Sequence, residues 1–369
     1  MGSKIPDIGA VPVLPRFGMN PDRWRDGLLI RTPNWLGDAV MTLPAMLQLR
    51  KLVPNDCGLF VLCPPGLKDF FESLPIVDVT VPLHSAHSAW SRADRQSVRN
   101  LTAGACLMFN NSLRDTIYLR LAYLPMIFGS SRRMRSLLLT KAWQLQHVKR
   151  GALNKMHHAA RYLAMAYALG APEWDGTMPA FAPFCEVETM APSLTAALKL
   201  GANLMAIAPG AAYGEAKRWP SEYFNAAARL WIERGGTIAI LGAKSEMAVA
   251  ESVMKDLPQN AAFNLCGKTN MKELIMLLEK AKICIANDSG TMHLAAATGT
   301  PGVAIFGSTD PSSTSPLSVN WKILYERQNC SPCFRRECQL DNDKYRCLRV
   351  ISPEMVMESA NEVLRRFSS

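Results

Sequence analysis

Residues 286–311, ANDSGTMHLAAATGTPGVAIFGSTDP, have the composition of a phosphate-binding turn. We expect a strand that ends at Ala286, then a tight turn, then a helix over residues 291–297. The unpaired N–H groups and the positive end of the helix dipole would face an anion at this turn. Three side chains could add hydrogen-bond donors: Ser289, Thr291 and His293. The pattern indicates an anion or diphosphate site, and the structural alternative is a turn in which Asp288 only caps the helix.

A second candidate loop, residues 208–220, has the sequence APGAAYGEAKRWP. Gly210 and Gly214 would let the backbone approach a ligand closely, and the loop ends in two cations, Lys217 and Arg218. A lysine is a compact point charge that suits a departing phosphate, whereas an arginine favours planar pairing. The loop therefore predicts neutralisation of a diphosphate, with two solvated surface cations as the alternative.

One carboxylate in the first half of the chain could act as a general base. Asp38 ends the turn PNWLGD after an apolar run and would lie in the first turn of a helix. A carboxylate at such a place is commonly a helix cap. The preceding Gly37 leaves room for a substrate, and few other acidic residues of this half occupy such a turn. If the reaction needs a base, the sequence favours Asp38.

Four of the ten cysteines are close together near the end of the chain: Cys330, Cys333, Cys338 and Cys347. Their spacing permits a structural zinc site, and free thiols fit it equally well. The other six are dispersed and have the character of small apolar fillers: Cys57, Cys63, Cys106, Cys185, Cys266 and Cys284. In a chain without an export signal, ten cysteines favour thiols over a disulfide framework.

Short apolar runs that alternate with helical patterns would position these residues. Strands are expected at residues 27–32, 59–63, 77–83, 105–110, 204–210, 237–242, 261–265, 283–286 and 302–306. One long helix is expected over residues 39–54, and a compact basic loop over residues 128–135. The alternation predicts an α/β fold with mostly parallel sheets. The glycine-rich turns follow strands, so they would share the carboxyl edge of a sheet, where ligands bind.

Two such series in 369 residues imply two domains. The proline-containing stretch 171–192 is the expected linker between them. We therefore expect a poorly ordered leader over residues 1–26, an N-terminal domain over residues 27–185 and a C-terminal domain over residues 186–369.

The charge is concentrated in the first part of the chain. Residues 1–150 contain 19 Lys and Arg against 10 Asp and Glu, which leaves +9 there and +1 in the remainder. A basic half fits an anionic substrate or lipid surface, and the absence of nucleic-acid-binding motifs makes nucleic acid an unexpected partner. No Walker A, GxSxG or HExxH motif occurs, and no GxGxxG follows a strand. With no apolar run of about 18 residues and no signal peptide, a cytoplasmic protein is expected.

Together these motifs resemble the bacterial lipopolysaccharide heptosyltransferases of glycosyltransferase family 9. The similar stretches are residues 31–45, 109–115, 136–140, 208–224, 241–246, 287–311 and 330–338, within a resemblance that covers about residues 27–367. PGAAYGEAKRWP and NDSGTMHLAAA are specific in combination and less so individually. The residues before Gly27 depart from the family pattern.

The resemblance implies an α/β fold of the GT-B type, with two Rossmann-like domains facing a central cleft. It implies an inverting glycosyltransferase that moves L-glycero-D-manno-heptose from ADP-heptose to the heptose/Kdo inner core of lipopolysaccharide, adding the second heptose without a catalytic metal. Asp38 would deprotonate the acceptor hydroxyl and Lys217 would stabilise the departing ADP, a division of roles that the chemistry of displacement requires. The donor-binding positions implied are Gly210, Ala211, Ala212, Lys217, Glu246, Thr269, Asp288, Ser289, Gly290, Thr291 and His293. Glu246 would lie near the adenosine ribose and Thr269 near the adenine.

The N-terminal domain would bind the acceptor, lipid A-Kdo-heptose. The acceptor-binding candidates are Asn34, Trp35, Gly37, Asn110, Ser112, Arg132, Arg133 and Arg135, and the three arginines are expected to contact acceptor phosphates. The basic half would also meet an anionic membrane surface, so the protein is expected at the inner face of the cytoplasmic membrane as a peripheral protein.

Two alternatives stay open. A sugar-nucleotide epimerase of the same fold would need several acidic residues around the anomeric carbon, whereas Asp38 stands nearly alone. A non-catalytic lipopolysaccharide-binding relative would keep the fold without activity, which the intact Asp38 and Lys217 disfavour.

Overall fold

The chain forms two compact units, each built around its own six-stranded sheet. The structure is a computed structural model, and it describes residues 6–17, 26–85, 88–132, 134–145, 156–183, 192–199 and 203–367. The N-terminal unit comprises Asp7–Val148 and Met156–Ala182, and the C-terminal unit contains Pro183–Ser369.

The sheet of the N-terminal unit is parallel throughout. Its strands are β1 (Gly27–Arg31), β2 (Gly58–Cys63), β3 (Val79–Pro82), β4 (Ala105–Met108), β5 (Met126–Ser130) and β6 (Lys141–Trp143), in the order β3-β2-β1-β4-β5-β6. Leu29 of β1 lies opposite Phe60 of β2 and Cys106 of β4. Every residue of β1 is buried. Burial on both faces explains why this strand is a continuous apolar run rather than an alternating one.

In the described part of this unit, six α-helices accompany the sheet. They are α1 (Leu36–Met41), α2 (Leu43–Leu52), α3 (Lys68–Glu72), α4 (Arg92–Asn100), α5 (Leu113–Leu121) and α6 (His158–Ala168). The single helix expected over residues 39–54 is divided into α1 and α2, which meet at Thr42. Pro44 has no N–H group and is tolerated only in a first helical turn, so α2 begins just before it.

The C-terminal unit repeats the same sheet design. Its strands are β7 (Leu204–Ala208), β8 (Thr237–Ile240), β9 (Ala262–Asn264), β10 (Ile283–Asn287), β11 (Gly302–Phe306) and β12 (Trp321–Tyr325), in the order β12-β11-β10-β7-β8-β9. Its helices are α7 (Pro192–Lys199), α8 (Ser221–Ile232), α9 (Met247–Met254), α10 (Met271–Lys280), α11 (Gly290–Ala297), α12 (Pro311–Thr314), α13 (Arg346–Arg349) and α14 (Pro353–Phe367).

Both sheets have the strand order of the Rossmann fold, in which the order reverses between the first and fourth strands. The reversal falls between β1 and β4 in the N-terminal unit and between β7 and β10 in the C-terminal unit. Connections leave these neighbouring strands in opposite directions, which opens a crevice at their carboxyl ends. The loops that follow β1, β4, β7 and β10 are therefore the places where each unit can bind a ligand.

The core of the C-terminal unit reaches the loop after β7 through a buried indole. Trp219 packs edge-on against Phe224, with ring centroids 4.8 Å apart, and is 1% exposed. Its Nε1 donates to the carbonyl oxygen of Ile351, 2.9 Å away, just before α14. Helix α14 packs in turn on α8. This arrangement fixes one end of the loop against the core.

Two expectations from the sequence need correction, one about the leader and one about the basic loop. Residues 6–17, placed in the expected loose leader, pack on the N-terminal unit: Leu14 is buried and the indole of Trp143 donates to the carbonyl oxygen of Pro15 at 3.0 Å. The remaining leader residues, 1–5 and 18–25, lie outside the described residues. The expected basic loop at residues 128–135 begins inside β5, because Phe128, Gly129 and Ser130 are buried strand residues.

Of the helices in the described ranges, none has the length and apolarity needed to cross a membrane.

Candidate active site

In the C-terminal unit, one buried asparagine ties the loop after β7 to the end of β10. The Asn287 amide donates from Nδ2 to the carbonyl oxygen of Pro209 (2.8 Å), and its Oδ1 accepts from the N–H of Trp219 (3.0 Å). Both loops therefore lie at the crevice between β7 and β10. Sequence reasoning did not select Asn287, although its position immediately before Asp288 in the glycine-rich turn was a usable signal.

Lys217 and Asp288 form the charged centre of this crevice. The Lys217 Nζ lies 2.6 Å from Oδ2 of Asp288, and the two side chains are only 14% and 4% exposed. The same oxygen accepts from the hydroxyl of Thr309 at 2.7 Å. Nε2 of His293 lies 4.0 Å from the other carboxylate oxygen. The structure thus brings three predicted donor-site residues together and adds Thr309, which sequence reasoning missed.

Ser289, rather than Asp288, caps helix α11. The Ser289 hydroxyl accepts from the N–H of Met292 at 3.3 Å. Gly290 and Thr291 form the first turn and are partly exposed, whereas His293 is buried. The first-turn N–H groups and the positive end of the helix dipole remain features of this turn, as predicted for an anion site. The alternative in which Asp288 only caps the helix is wrong, because its carboxylate faces Lys217.

Gly210 is required by the position of Glu246. A Cβ at residue 210 would lie 1.9 Å from Oε1 of Glu246, and a Cβ at Gly242 would lie 2.8 Å from Oε2. That second oxygen accepts from the N–H of Ala243 at 2.9 Å. The predicted ribose-binding carboxylate is therefore held beside the loop after β7 by two glycines and one backbone hydrogen bond.

The other predicted donor residues are placed as follows. Ala211 is buried and Ala212 is exposed, both in the loop after β7. Thr269 is partly exposed and lies between β9 and α10, on the loop that leaves the carboxyl end of β9. No hydrogen bond among the described residues joins Thr269 to Lys217 or Asp288, so its role stays a prediction.

In the N-terminal unit, Asp38 lies in the first turn of α1, at the carboxyl end of β1. Its Oδ1 is 3.7 Å from Nδ1 of His158, and both side chains are about one-third exposed, at 33% and 34%. Among the described residues, Asp38 makes no capping hydrogen bond to α1. Burial, followed by the Asp38 charge, raises the pKa of Tyr162 well above its usual value. Asp38 is thus an accessible carboxylate with a histidine and a neutral phenol nearby, neither of which the sequence pointed to.

In the same unit, a fully buried ion pair connects β1 with α5. Nε of Arg31 lies 2.8 Å from Oδ2 of Asp115, and neither side chain is exposed. Arg31 also donates to Oδ1 of Asn34 at 3.0 Å. Asp115 accepts from three further side chains: Asn110 (2.8 Å), Trp90 (3.3 Å) and Arg114 (3.0 Å). Burial would raise the pKa of Asp115, but the Arg31 charge and the Asn110 and Arg114 hydrogen bonds hold it below its usual value.

These hydrogen bonds hold the lining of an open cavity of about 680 Å³. Its walls are Asn34 from the loop after β1, Asn110, Asn111 and Ser112 from the loop after β4, and Leu113 and Arg114, the first two residues of α5. Three of them, Asn34, Asn110 and Ser112, are predicted acceptor-binding residues. A volume of this size accommodates a small polar ligand, and amides and a guanidinium suit a polyhydroxylated, anionic one. The sequence signal for Asp115 was the Ser112-x-x-Asp115 spacing, a helix-start pattern.

The remaining acceptor candidates divide into exposed and buried residues. Trp35 is 67% exposed, Gly37 is partly exposed, and Arg132 is exposed. Arg133 lies outside the described residues. Arg135 is fully buried, and its guanidinium donates to Ser130, Asn110 and Asn111. The expectation that Arg135 contacts an acceptor phosphate is therefore wrong, because its guanidinium is buried and hydrogen-bonded within the N-terminal unit.

Among the described residues, the side chains of the four clustered cysteines are not arranged as metal ligands. Cys330, Cys333, Cys338 and Cys347 are free. Burial, and then the negative charge of the other three cysteines in their thiolate form, raise the pKa of Cys347 to about 11. In the described part of the chain, no three His, Cys, Asp or Glu side chains are arranged to hold a metal ion. The arrangement does not fit the zinc alternative.

Comparison with known proteins gives matches to one enzyme family. The model of glycosyltransferase family 9 (heptosyltransferase) matches residues 92–344. The lipooligosaccharide heptosyltransferase 2 of Haemophilus influenzae is 28% identical, over 92% of this chain and 99% of that protein. The lipopolysaccharide heptosyltransferase 2 of Escherichia coli K12 is 26% identical, over 91% and 98%. The solved structure of E. coli ADP-heptose LPS heptosyltransferase II superposes with a TM-score of 0.75 at 23% identity, covering 93% of this chain and 99% of that one.

The family model spans well over half of the chain, and the matching structures have the GT-B fold that the sequence predicted. The two Rossmann-like sheets, each with polar residues at its switch point, are the structural counterpart of that match. The chain is a glycosyltransferase of GT-B type and belongs to glycosyltransferase family 9, the heptosyltransferase family.

Proposed function

We propose that this enzyme transfers L-glycero-D-manno-heptose from ADP-heptose to the heptose/Kdo inner core of lipopolysaccharide, with inversion, as the second heptose. The observation that supports it most is the Lys217–Asp288 pair, 2.6 Å apart, at the switch point of the C-terminal sheet. The relatives that match nearly end to end are lipooligosaccharide and lipopolysaccharide heptosyltransferases 2.

The C-terminal unit binds the donor in this proposal. The first-turn N–H groups of α11, near Ser289 and Gly290, bind the diphosphate. Lys217 stabilises the negative charge that grows on ADP as the bond to the sugar breaks. Asp288 orients the lysine through its short ion pair and Thr309 fixes the carboxylate. Glu246, held next to Gly210, accepts hydrogen bonds from the ribose hydroxyls.

The N-terminal unit supplies the base and binds the acceptor. Asp38 takes the proton of the acceptor hydroxyl, whose oxygen forms the new bond to the anomeric carbon as the bond to the ADP oxygen breaks. Nδ1 of His158 lies 3.7 Å from Oδ1 of Asp38, close enough to stabilise the carboxylate electrostatically but too far for a hydrogen bond. The cavity beside Asn34 and Arg114 binds the acceptor sugar.

The location of the protein is part of the same proposal. The acceptor is a membrane lipid, and residues 1–150 carry a net charge of +9. A cytoplasmic protein with such a surface would associate peripherally with the anionic inner face of the membrane. Exposed Arg132 is a candidate for contact with acceptor phosphates or with lipid head groups.

One experiment tests the proposed reaction directly. Purified enzyme is incubated with ADP-heptose and one acceptor at a time. One acceptor ends at Kdo and the other ends at the first heptose. Mass spectrometry should show one added heptose on the heptose-terminated acceptor, with release of ADP. Transfer only to the Kdo-terminated acceptor would contradict the second-heptose step, and absence of transfer to both would contradict the proposed substrates.

A further inference from the structure

The segment of residues 328–345, which contains three of the clustered cysteines, is attached to two loops of the donor crevice. The N–H of Phe334 donates to the carbonyl oxygen of Ser308, 2.7 Å away, in the loop after β11. The Tyr213 hydroxyl donates to the carbonyl oxygen of Phe334 at 2.9 Å. The N–H of Ala216 donates to the carbonyl oxygen of Arg336, also at 2.9 Å. The segment therefore forms part of the crevice wall beside Lys217.

Gly214 makes the close approach of this segment possible. A Cβ at residue 214 would lie only 2.4 Å from the carbonyl oxygen of Arg336. Any larger residue would push the segment away from the loop that carries Lys217. A further bond, from the Tyr345 hydroxyl to Oε2 of Glu215 at 3.1 Å, holds the far end of the segment to the same loop. The backbone of Arg336 is thus placed by contacts that do not involve its side chain.

The side chains of Arg336 and Lys217 share one aromatic neighbour. Cζ of Arg336 lies 5.5 Å from the centroid of the Tyr213 ring, and Nζ of Lys217 lies 5.2 Å from it. Both distances are within the roughly 6 Å range in which a cation and an aromatic ring attract each other. The phenol ring, 41% exposed, therefore gathers two cations at the edge of the crevice.

Of the two cations, Lys217 has an acidic partner and Arg336 has none among the described residues. Lys217 is matched by Asp288 at 2.6 Å, so this pair is close to neutral before a donor binds. Arg336 is exposed, and among the ion pairs of the described residues none includes it. A diphosphate carries more negative charge than Lys217 can balance while it remains paired. A planar guanidinium is suited to two phosphate oxygens at once.

We propose that Arg336 is a second donor-binding cation, which contacts the diphosphate of the nucleotide sugar beside Lys217, with Tyr213 holding both side chains in place. This inference rests on the proposed use of a nucleoside diphosphate donor. It gives the cysteine-containing segment a role in substrate binding that requires no metal. Arg336 binds the ligand directly, whereas Tyr213 is a positioning residue.

The test compares ADP binding to Arg336→Ala and to Arg335→Ala by isothermal titration calorimetry at two or more salt concentrations. Arg335 is the adjacent exposed arginine and is the matched control. Loss of a charge-assisted contact should weaken ADP binding by about tenfold or more in Arg336→Ala, and by much less in Arg335→Ala. The salt dependence of the affinity should also fall, because one exposed charge no longer contributes. Arg336→Lys should recover part of the affinity.

Equal affinities in the two alanine variants would overturn the inference while leaving ADP binding by the wild type intact. A loss of affinity with the salt dependence of the wild type would also overturn it, because it would indicate a displaced loop instead of a lost charge. If the wild type itself did not bind ADP, the proposed donor and this inference would fall together. Tyr213→Phe keeps the ring but loses the hydrogen bond to Phe334, so it should lose less affinity for ADP than Tyr213→Ala, which should resemble Arg336→Ala.

Discussion

The two units have the same strand order but use their switch points differently. At the C-terminal switch point, the Lys217 side chain of the Lys217–Asp288 ion pair is partly accessible to solvent, with 14% of it exposed. At the N-terminal switch, the pair of Arg31 and Asp115 is completely buried, and the accessible carboxylate is Asp38. We therefore expect the Lys217–Asp288 pair to act in the reaction and the Arg31–Asp115 pair to stabilise the fold.

The energetic consequences of the two pairs should differ accordingly. Two buried charges lose their hydration, so a pair such as Arg31 and Asp115 is tolerated only when further hydrogen bonds satisfy both groups. Asn34, Asn110 and Trp90 provide them here. The Lys217 ammonium can still exchange Asp288 for a ligand or water. Substitutions in the two units should therefore separate activity from stability.

The largest expected effect is that of Asp38→Ala on heptose transfer. Removal of a general base should lower turnover by about 100- to 10,000-fold, with ADP affinity retained because the proposed donor residues lie in the other unit. Turnover is measured as ADP release and ADP affinity by calorimetry. Asp69→Ala, which removes an exposed carboxylate from the first turn of α3, is the control and should retain activity. Transfer at the wild-type rate in Asp38→Ala would refute the assignment of the base.

Lys217→Ala should come next, with turnover lower by roughly 100-fold or more, because the developing charge on ADP loses its nearest cation. Lys282→Ala, which removes an exposed lysine immediately before β10, serves as the control. The measurement is turnover at saturating ADP-heptose. An unchanged rate for Lys217→Ala would show that the C-terminal pair is structural, like its counterpart.

Asp115→Asn tests the architectural pair. An unpaired, buried Arg31 should lower the free energy of unfolding by about 3–5 kcal/mol. Asp288→Asn should lower the free energy of unfolding by less than Asp115→Asn does, since Lys217 can reach water. It should lower heptose transfer by more than Asp115→Asn does. Urea denaturation of both variants gives the two free energies. Equal losses of stability would remove the distinction between the pairs.

The pH dependence provides a check on the same variant. Because the pKa of Asp115 is lowered by folding, its contribution to stability is complete above the unfolded-state pKa of about 3.9 and is lost as the pH falls through the folded-state pKa. The difference in stability between the wild type and Asp115→Asn should therefore narrow as the pH is lowered from about 6 to about 3. A constant difference would mean that Asp115 is not stabilised as an anion.

The smallest effect is expected for Gly210→Ala. The added Cβ would lie 1.9 Å from Oε1 of Glu246, so this side chain must move. We expect the KM for ADP-heptose to rise about fivefold or more, in line with the cost of overpacking. Gly66→Ala, where a Cβ would meet nothing within 4 Å, is the control. Equal KM values in the two variants would show that Glu246 can shift without affecting the donor.

The buried strands were predictable because each is a run of apolar residues bounded by turn residues. Strands β1, β10 and β11 fall where the sequence placed them, to within one residue at either end. Strands β5 and β6 were missed because β5 ends in Gly129-Ser130 and β6 has only three residues, which a basic loop pattern obscured. The division of α1 from α2 at Thr42 depended on Pro44, a signal that was present but was treated as part of one helix.

Of the candidate site, the residues at the glycine-rich turns were predictable, whereas their partners were not. Lys217 and Asp288 are 71 positions apart in sequence and Arg31 and Asp115 are 84 apart, so only the fold brings each pair together. Arg135 was misassigned because an arginine in a basic stretch is normally exposed. Its complete burial results from local contacts with β5 and with the loop after β4.

The indole of Trp219 has a consequence for the thermodynamics of donor binding. Lys217 is two residues from a side chain that is bonded to Ile351, while the backbone N–H of Trp219 is bonded to Asn287. The loop therefore loses its conformational entropy when the unit folds, and little remains to be lost when ADP-heptose arrives. Ligands that bind to such preorganised groups avoid the entropic penalty of ordering a loop. Calorimetry of ADP binding should accordingly show a small unfavourable entropy term, and Trp219→Phe, which removes the indole hydrogen bond and part of the buried ring, should enlarge it.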